Sequence, residues 1–227
     1  RVSFFLMLVI IPASVYSVLW IPDLKLNTRY DFTETHDQFF GYHKSRVSED
    51  SHPYCSKWYS WPIMQRPISY YFQKRFEGDG DNKKTFFTAI HSFGNPALYW
   101  FASLATLILI GTFLWQSVNI FRTKIISQEY IALGFISAGF LGPFLPWMFV
   151  SRCTFFYHYQ SAALFSFFAL TWLLFRMIHS GNKYARIATL VILTIIFVSF
   201  IYWLPLQLGI EIERSGFYER MWFRSWI

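Results

Sequence analysis

Charge is scarce in this sequence, and acid is nearly missing where the chain is most apolar. Only 15% of the 227 residues are charged. From Pro96 to Pro205 the single carboxylate is Glu129, whereas nine of the thirteen acids lie between Asp23 and Asp81. Proton- and cation-coupled transporters need ionisable groups at membrane depth, and no inverted pair of broken apolar segments points to a transport site. Metal-ligand spacing is also lacking. His36, His43 and His52 stand seven and nine residues apart, which matches no compact ligand motif, and EGDGDNKK at 77–84 lacks the spacing and final Glu of a calcium loop. No metal is therefore expected. The chain opens on Arg1 with no initiator Met and no signal-peptide cleavage pattern, so its start reads as internal to a longer protein.

What is present is apolar surface. Hydrophobic residues make up 54% of the chain and aromatic residues 22%, too much for an ordinary soluble domain of this length. The formal charge of +7 does not imply nucleic acid, because the cations are scattered singly between long apolar runs. A bilayer core takes about 20 apolar residues per helix. Five stretches meet that length, from about Val2 to Ile21, Pro96 to Val118, Tyr130 to Val150, Ser161 to Ile178 and Ile187 to Leu208. Unpaired backbone is not tolerated in hydrocarbon, so these are expected to be helices. Pro12 is expected to kink the first, and Pro143 and Pro146 to end or bend the third.

Two short connections carry Arg122 and Lys124, and Arg176, Lys183 and Arg186, which places them in the cytoplasm by the positive-inside rule. The long segment at 23–95, the turn at 152–159 and the tail at 209–227 then share the extracytoplasmic side. The fold class is an all-α integral membrane protein of about five spans, residues 1–22 forming the first helix and 96–208 a four-helix bundle. Cys55 and Cys153 both fall on the outer side, where a disulfide is permitted, although two cysteines alone do not establish its geometry.

The most informative string is HPYCSKWYSWPIMQRPISYYF, His52 to Phe72. Its rings and cations fit a membrane-interface anchor, or a site for a lipid-linked phosphate with rings against sugar or isoprenoid and cations against phosphate. The string is similar to the pattern of dolichyl- or polyprenyl-phosphate-mannose protein mannosyltransferases, in which HPY, a Ser, a Trp-rich step and WP precede an RPI-like turn. FGNPALYW (93–100), SRCTFFYHY (151–159) and the ending RMWFRSWI (220–227) resemble the same family in the same order. Gln160 and Ser161 depart from its usual Leu-Pro step, and there is no room for the β-trefoil module of eukaryotic relatives, which favours the bacterial type.

The resemblance implies the C-terminal part of a GT-C glycosyltransferase of the inner membrane. Such an enzyme moves mannose from polyprenyl-phosphate mannose to Ser or Thr hydroxyls of exported proteins, with inversion. Its partners would be membrane lipid, the lipid-linked donor, an exported acceptor polypeptide and the N-terminal half of the same protein. The donor is a substrate, and no tightly bound cofactor is expected. The acidic base belongs in that N-terminal half, so Asp31, Glu34, Asp37, Glu49 and Asp50 are read as a solvated face. The candidates for substrate and lipid-phosphate binding are His52, Tyr54, Trp61, Arg66, Arg152 and His158. Interfacial docking is the plain reading of the Arg- and Trp-bearing tail, and 77–84 reads as a loop. The competing function is a non-enzymatic polyprenyl-lipid-binding or transport component.

Overall fold

A computed structural model describes residues 6–26, 29–45, 52–80 and 83–227, which divide into two compact units, Arg1–Ser48 and Glu49–Ile227. In the first, a π-helical turn (Leu6–Ile10) leads into α1 (Ile11–Leu19), followed by α2 (Ile21–Leu26) and α3 (Phe32–Ser45). Pro12 sits in the first turn of α1, directly after the π-helical turn and with Ile10 already helical, so the helical run changes its bonding pattern where the proline lacks an N–H. Helix α3 begins in a reciprocal cap: the Glu34 N–H donates to Asp31 Oδ1 at 2.8 Å, and the Asp31 N–H to Glu34 Oε2 at 3.1 Å. Two of the acids in the expected solvated face thus fix a helix start, while Glu49 and Asp50 lie outside the described residues. His36 hydrogen-bonds to Tyr16 Oη and to the Phe32 carbonyl, and the side chain of His43 also lies outside the described residues.

The second unit holds the membrane bundle. Four described helices are long and apolar enough to cross a bilayer, at Pro96–Thr123, Gln128–Phe149, Phe156–Ile178 and Lys183–Leu208. They match the last four expected spans; the first expected span is described from Leu6 as shorter helical pieces and is not among them. We label the regular parts α4 (Pro96–Thr123), α5 (Gln128–Phe144), α6 (Gln160–Ile178) and α7 (Lys183–Leu208). Asn95, Ser127 and Asn182 cap α4, α5 and α7, each accepting a backbone N–H of the first turn. Helix α5 continues past Pro143 and then tightens into a 3-10 turn at Leu145–Phe149.

Lipid gives helices little hydrophobic reason to associate, so close backbone approach has to supply the packing. Ala102 and Ala105 of α4 and Ala163 and Ala169 of α6 are wholly buried. Gly139 of α5 lies against the Phe165 ring, where a Cβ would overlap it. Asn95 also ties α4 to α7, donating to the Ile196 carbonyl and accepting from Ser199 Oγ, each at 2.6 Å.

The long segment contains more than loop. Strands β1 (Ile68–Glu77) and β2 (Lys84–Ser92) form an antiparallel hairpin, and β3 (Ile212–Glu213) pairs with the far side of β2, giving the order β1-β2-β3. Gly78 and Gly80 have positive φ at the turn, a conformation that glycine adopts without strain. Phe87, Ala89 and His91 alternate into the core, as a half-buried strand requires. Across the solvated face of the sheet, Arg75 forks onto both carboxylate oxygens of Glu211 at 2.7 Å, which holds the Glu211 carboxyl below its usual range. The tail is packed rather than simply laid on an interface. Phe217, in α8 (Arg214–Glu219), and Trp226 are both 2% exposed.

Candidate functional site

The His52–Phe72 ribbon and the 152–159 turn meet at the end of the bundle where α5 finishes and α6 starts. Cys55 and Cys153 are bonded, with Cα atoms 5.2 Å apart across 98 residues of sequence. Beside the bridge, the Ser56 N–H donates to the Thr154 carbonyl at 2.8 Å, and Thr154 Oγ1 returns a bond to the Ser56 carbonyl at 2.6 Å. The ribbon next makes a short 3-10 helix, Trp58–Ile63, whose Trp61 indole donates to Ser56 Oγ at 2.8 Å. Trp61 lies parallel to the His158 imidazole, with centroids 6.1 Å apart, and Trp147 leans on the other contact of that imidazole at 4.4 Å. His158 Nδ1 is held by the Phe155 backbone, 3.1 Å from its nitrogen and 3.0 Å from its carbonyl oxygen, so Nε2 is the nitrogen left for other chemistry.

Past the WP step, four successive carbonyls are each taken by a side chain. Pro62 accepts from Ser103 Oγ at 2.8 Å, Ile63 from the Trp100 indole at 3.0 Å, Met64 from the Trp226 indole at 2.7 Å, and Gln65 from Ser225 Oγ. Met64 holds a left-handed backbone, φ 54°, which a non-glycine residue adopts only where its surroundings over-determine it. Arg66 completes the stitching. Its Nε and Nη2 donate to the Pro53 carbonyl at 3.1 and 2.7 Å, its Nη1 donates to the Ser225 carbonyl at 2.8 Å, and the guanidinium lies over the Tyr54 ring.

The expected site residues therefore separate into two groups. Trp61, 1% exposed, and Arg66 are occupied inside the protein, as a wall and a clasp. His52 is exposed, edge-on to Phe155 at 5.4 Å; Tyr54, Arg152 and His158 are partly exposed. Arg152 and Lys57 line a notch of about 60 Å³ beside the disulfide, with Trp58 and Trp147 as walls and no carboxylate. A second cavity, about 490 Å³ and almost wholly apolar, opens between α4 and α7 beneath Trp100, Trp203 and Trp222. The notch offers cations to a phosphate, and the separate cavity offers apolar walls to a hydrocarbon chain. The sequence reading missed Ser56, Thr154, Trp147 and the tail partners Ser225 and Trp226; the Cys-Ser and Cys-Thr dipeptides were the available signal for the first two.

On the hairpin side of this end, His91 is buried between Phe93 and Phe217 with no partner for Nδ1. Burial pushes its pKa below the ordinary histidine value.

Comparison with known proteins fits this geometry. A family model described as the C-terminal four TMM region of protein-O-mannosyltransferase matches residues 28–226. The polyprenol-phosphate-mannose–protein mannosyltransferase of Mycolicibacterium smegmatis is 26% identical over 219 residues, covering 92% of this chain and 39% of that protein. The enzyme of the same name from Corynebacterium glutamicum is 25% identical over 186 residues, covering 79% and 33%. Among solved structures, a chain of the S. cerevisiae protein O-mannosyltransferase Pmt1-Pmt2 complex bound to the sugar donor shares the fold, with TM-score 0.63 and 20% identity over 86% of this chain and 26% of that one. The chain thus spans well under half of these relatives, and the match falls on the ribbon, the four spans and the tail just described: it belongs to the protein O-mannosyltransferase family, as its C-terminal four-span membrane region.

Proposed function

We propose that this chain is the C-terminal membrane part of an enzyme that transfers mannose from polyprenyl-phosphate mannose to Ser or Thr hydroxyls of exported proteins. The observation that carries the reading is the corner in which the HPY ribbon and the FYHY turn are locked together around His158. The names of the bacterial relatives support the donor and the reaction. A disulfide at this corner supports an extracytoplasmic position, because such bonds persist in oxidising compartments.

In this reading the full-length enzyme supplies a carboxylate upstream that takes the acceptor proton, and cations meet the charge on the departing phosphate. Arg152, which shares the notch with Lys57, is the cation this reading assigns to that phosphate; His158 offers it a ring nitrogen, and His52 and Tyr54 belong to the same ribbon. Trp61 and Arg66 hold the walls without touching the lipid. The apolar cavity between α4 and α7 suits an isoprenoid chain. The test is mannose transfer to a Ser-containing peptide by the full-length protein in nanodiscs, with and without Arg152→Gln and His158→Ala. Transfer should fall roughly tenfold or more in the variants while insertion stays intact, and the 227 residues alone should transfer nothing. Donor binding by the wild type without transfer to any acceptor would instead favour the non-enzymatic lipid-binding component.

A further inference from the structure

The hairpin carries a feature that transfer chemistry does not use. Strand β1 is hydrogen-bonded to β2 on one side, and no described strand pairs with its other side. Nine of its ten residues, Ser69 to Glu77, are at least partly exposed. The outward N–H and C=O groups of such an edge need partners with matching polar groups. Hydrocarbon has none, so this edge cannot rest in the lipid core. Among the described residues, one side-chain partner reaches β1 backbone, Ser69 Oγ on the Tyr71 carbonyl at 3.4 Å.

Three observations select the occupant. The pairing register jumps between Ser69 and Tyr71, which leaves Tyr70 as a bulge residue, 62% exposed. A bulge and the edge residue Lys74 discourage rigid edge-to-edge pairing of two copies, whereas a flexible extended chain can follow a bulged edge. Rings stand on both faces, Phe72 and Phe76 with Ala89 and Thr85 on one and Tyr71 with Ile90 on the other, and all three rings are exposed. Alternating contacts of that kind suit the side chains of an added strand. Finally, β1 begins two residues after Arg66, and its first five residues, Ile68 to Phe72, are the end of the ribbon itself, so its edge is continuous with the segment that builds the candidate site.

We propose that the free edge of β1 binds the acceptor polypeptide as an added strand, laying an extended segment along Ile68–Glu77 and leading it towards His158. The proposal rests on the mannosyltransferase reading for the identity of the polypeptide. Its test uses the full-length protein in nanodiscs and a fluorescent Ser-containing peptide, with binding read by anisotropy in the absence of donor. A peptide series is methylated at one backbone nitrogen at a time. Affinity should drop roughly three- to tenfold at every second position and stay nearly constant between, and a benzophenone side chain at position 73 should capture the peptide. A flat or non-alternating methylation profile, or capture of a second copy or of the protein's own upstream segment in place of the peptide, would overturn the proposal. Transfer is measured separately. Alternation without mannose transfer upholds the edge and sinks the mannosyltransferase reading, and transfer without alternation sinks the edge alone.

Discussion

Trp226 donates its indole N–H to the Met64 carbonyl at 2.7 Å, with both side chains buried. That bond joins the tail to a left-handed residue in the ribbon, 162 positions away in sequence. Alongside it, Ser225 and Arg66 bind each other's neighbourhood in both directions, Ser225 Oγ to the Gln65 carbonyl and Arg66 to the Ser225 carbonyl. The tail is thus a strut under the WP step.

Trp226→Phe keeps most of the ring volume but leaves the Met64 carbonyl without its donor. An unpaired buried acceptor costs about 1–3 kcal/mol, so the thermal midpoint of the purified protein should fall. An unchanged midpoint would show that the strut carries no load.

Arg66→Lys separates two roles. A lysine lacks the planar fork with which Arg66 serves the carbonyls of Pro53 and Ser225 together, so a clasp loses stability by roughly 1–3 kcal/mol and, in the proposed full-length enzyme, kcat falls with little change in the donor KM. A phosphate ligand would respond the other way. Lys would keep the charge, stability would hold, and the donor KM would rise.

Breaking the Cys55–Cys153 bond, by Cys55→Ala with Cys153→Ala, removes a link that closes 98 residues of sequence. A loop of that size is worth up to about 4.7 kcal/mol in the chain-entropy account, and less here because the spans between the cysteines stay inserted on unfolding. The sharper readout is local: hydrogen exchange at Ser56 and Thr154 should accelerate, while the α4–α6 contacts stay protected.

His91 makes stability depend on pH. Its folded pKa is lowered by burial, so below about 6.5, the ordinary histidine value, the unfolded chain takes up a proton that the folded chain resists. Stability is full above that pH and declines as pH falls towards the depressed value. His91→Gln should flatten that limb of the profile, and an identical pH profile in wild type and variant would rule His91 out as its source.

The four spans of the second unit were legible because each is a run of apolar residues long enough to cross a bilayer, and their caps, Asn95, Ser127 and Asn182, stand where such runs begin. The positive-inside rule also put the ribbon and the turn on one side, while leaving open the bond that joins them. The hairpin was not. ISYYFQKRFE carries rings, cations and an acid in a mixture that reads equally well as interfacial loop, and only pairing with KTFFTAIHS, followed by Phe217 closing over Phe87 and Phe72, makes it a strand. Arg66 shows the same limit. Its residue type fits a phosphate fork, and nothing local reveals that carbonyls at Pro53 and Ser225 already occupy its donors. The tail was opaque for that reason too, since the partners of Ser225 and Trp226 lie in the ribbon and not nearby.

The bridge between Cys55 and Cys153 also imposes a schedule on biosynthesis. Cys55 emerges first and has to wait as a thiol until 98 further residues, including α4 and α5, have been made and inserted. At about 5–20 residues per second that delay is roughly 5 to 20 s, long enough for a wrong partner or an oxidant to reach the first sulfur. Under the extracytoplasmic placement proposed above, yield in a heterologous cell should rise with the supply of thiol-oxidising and isomerising catalysts.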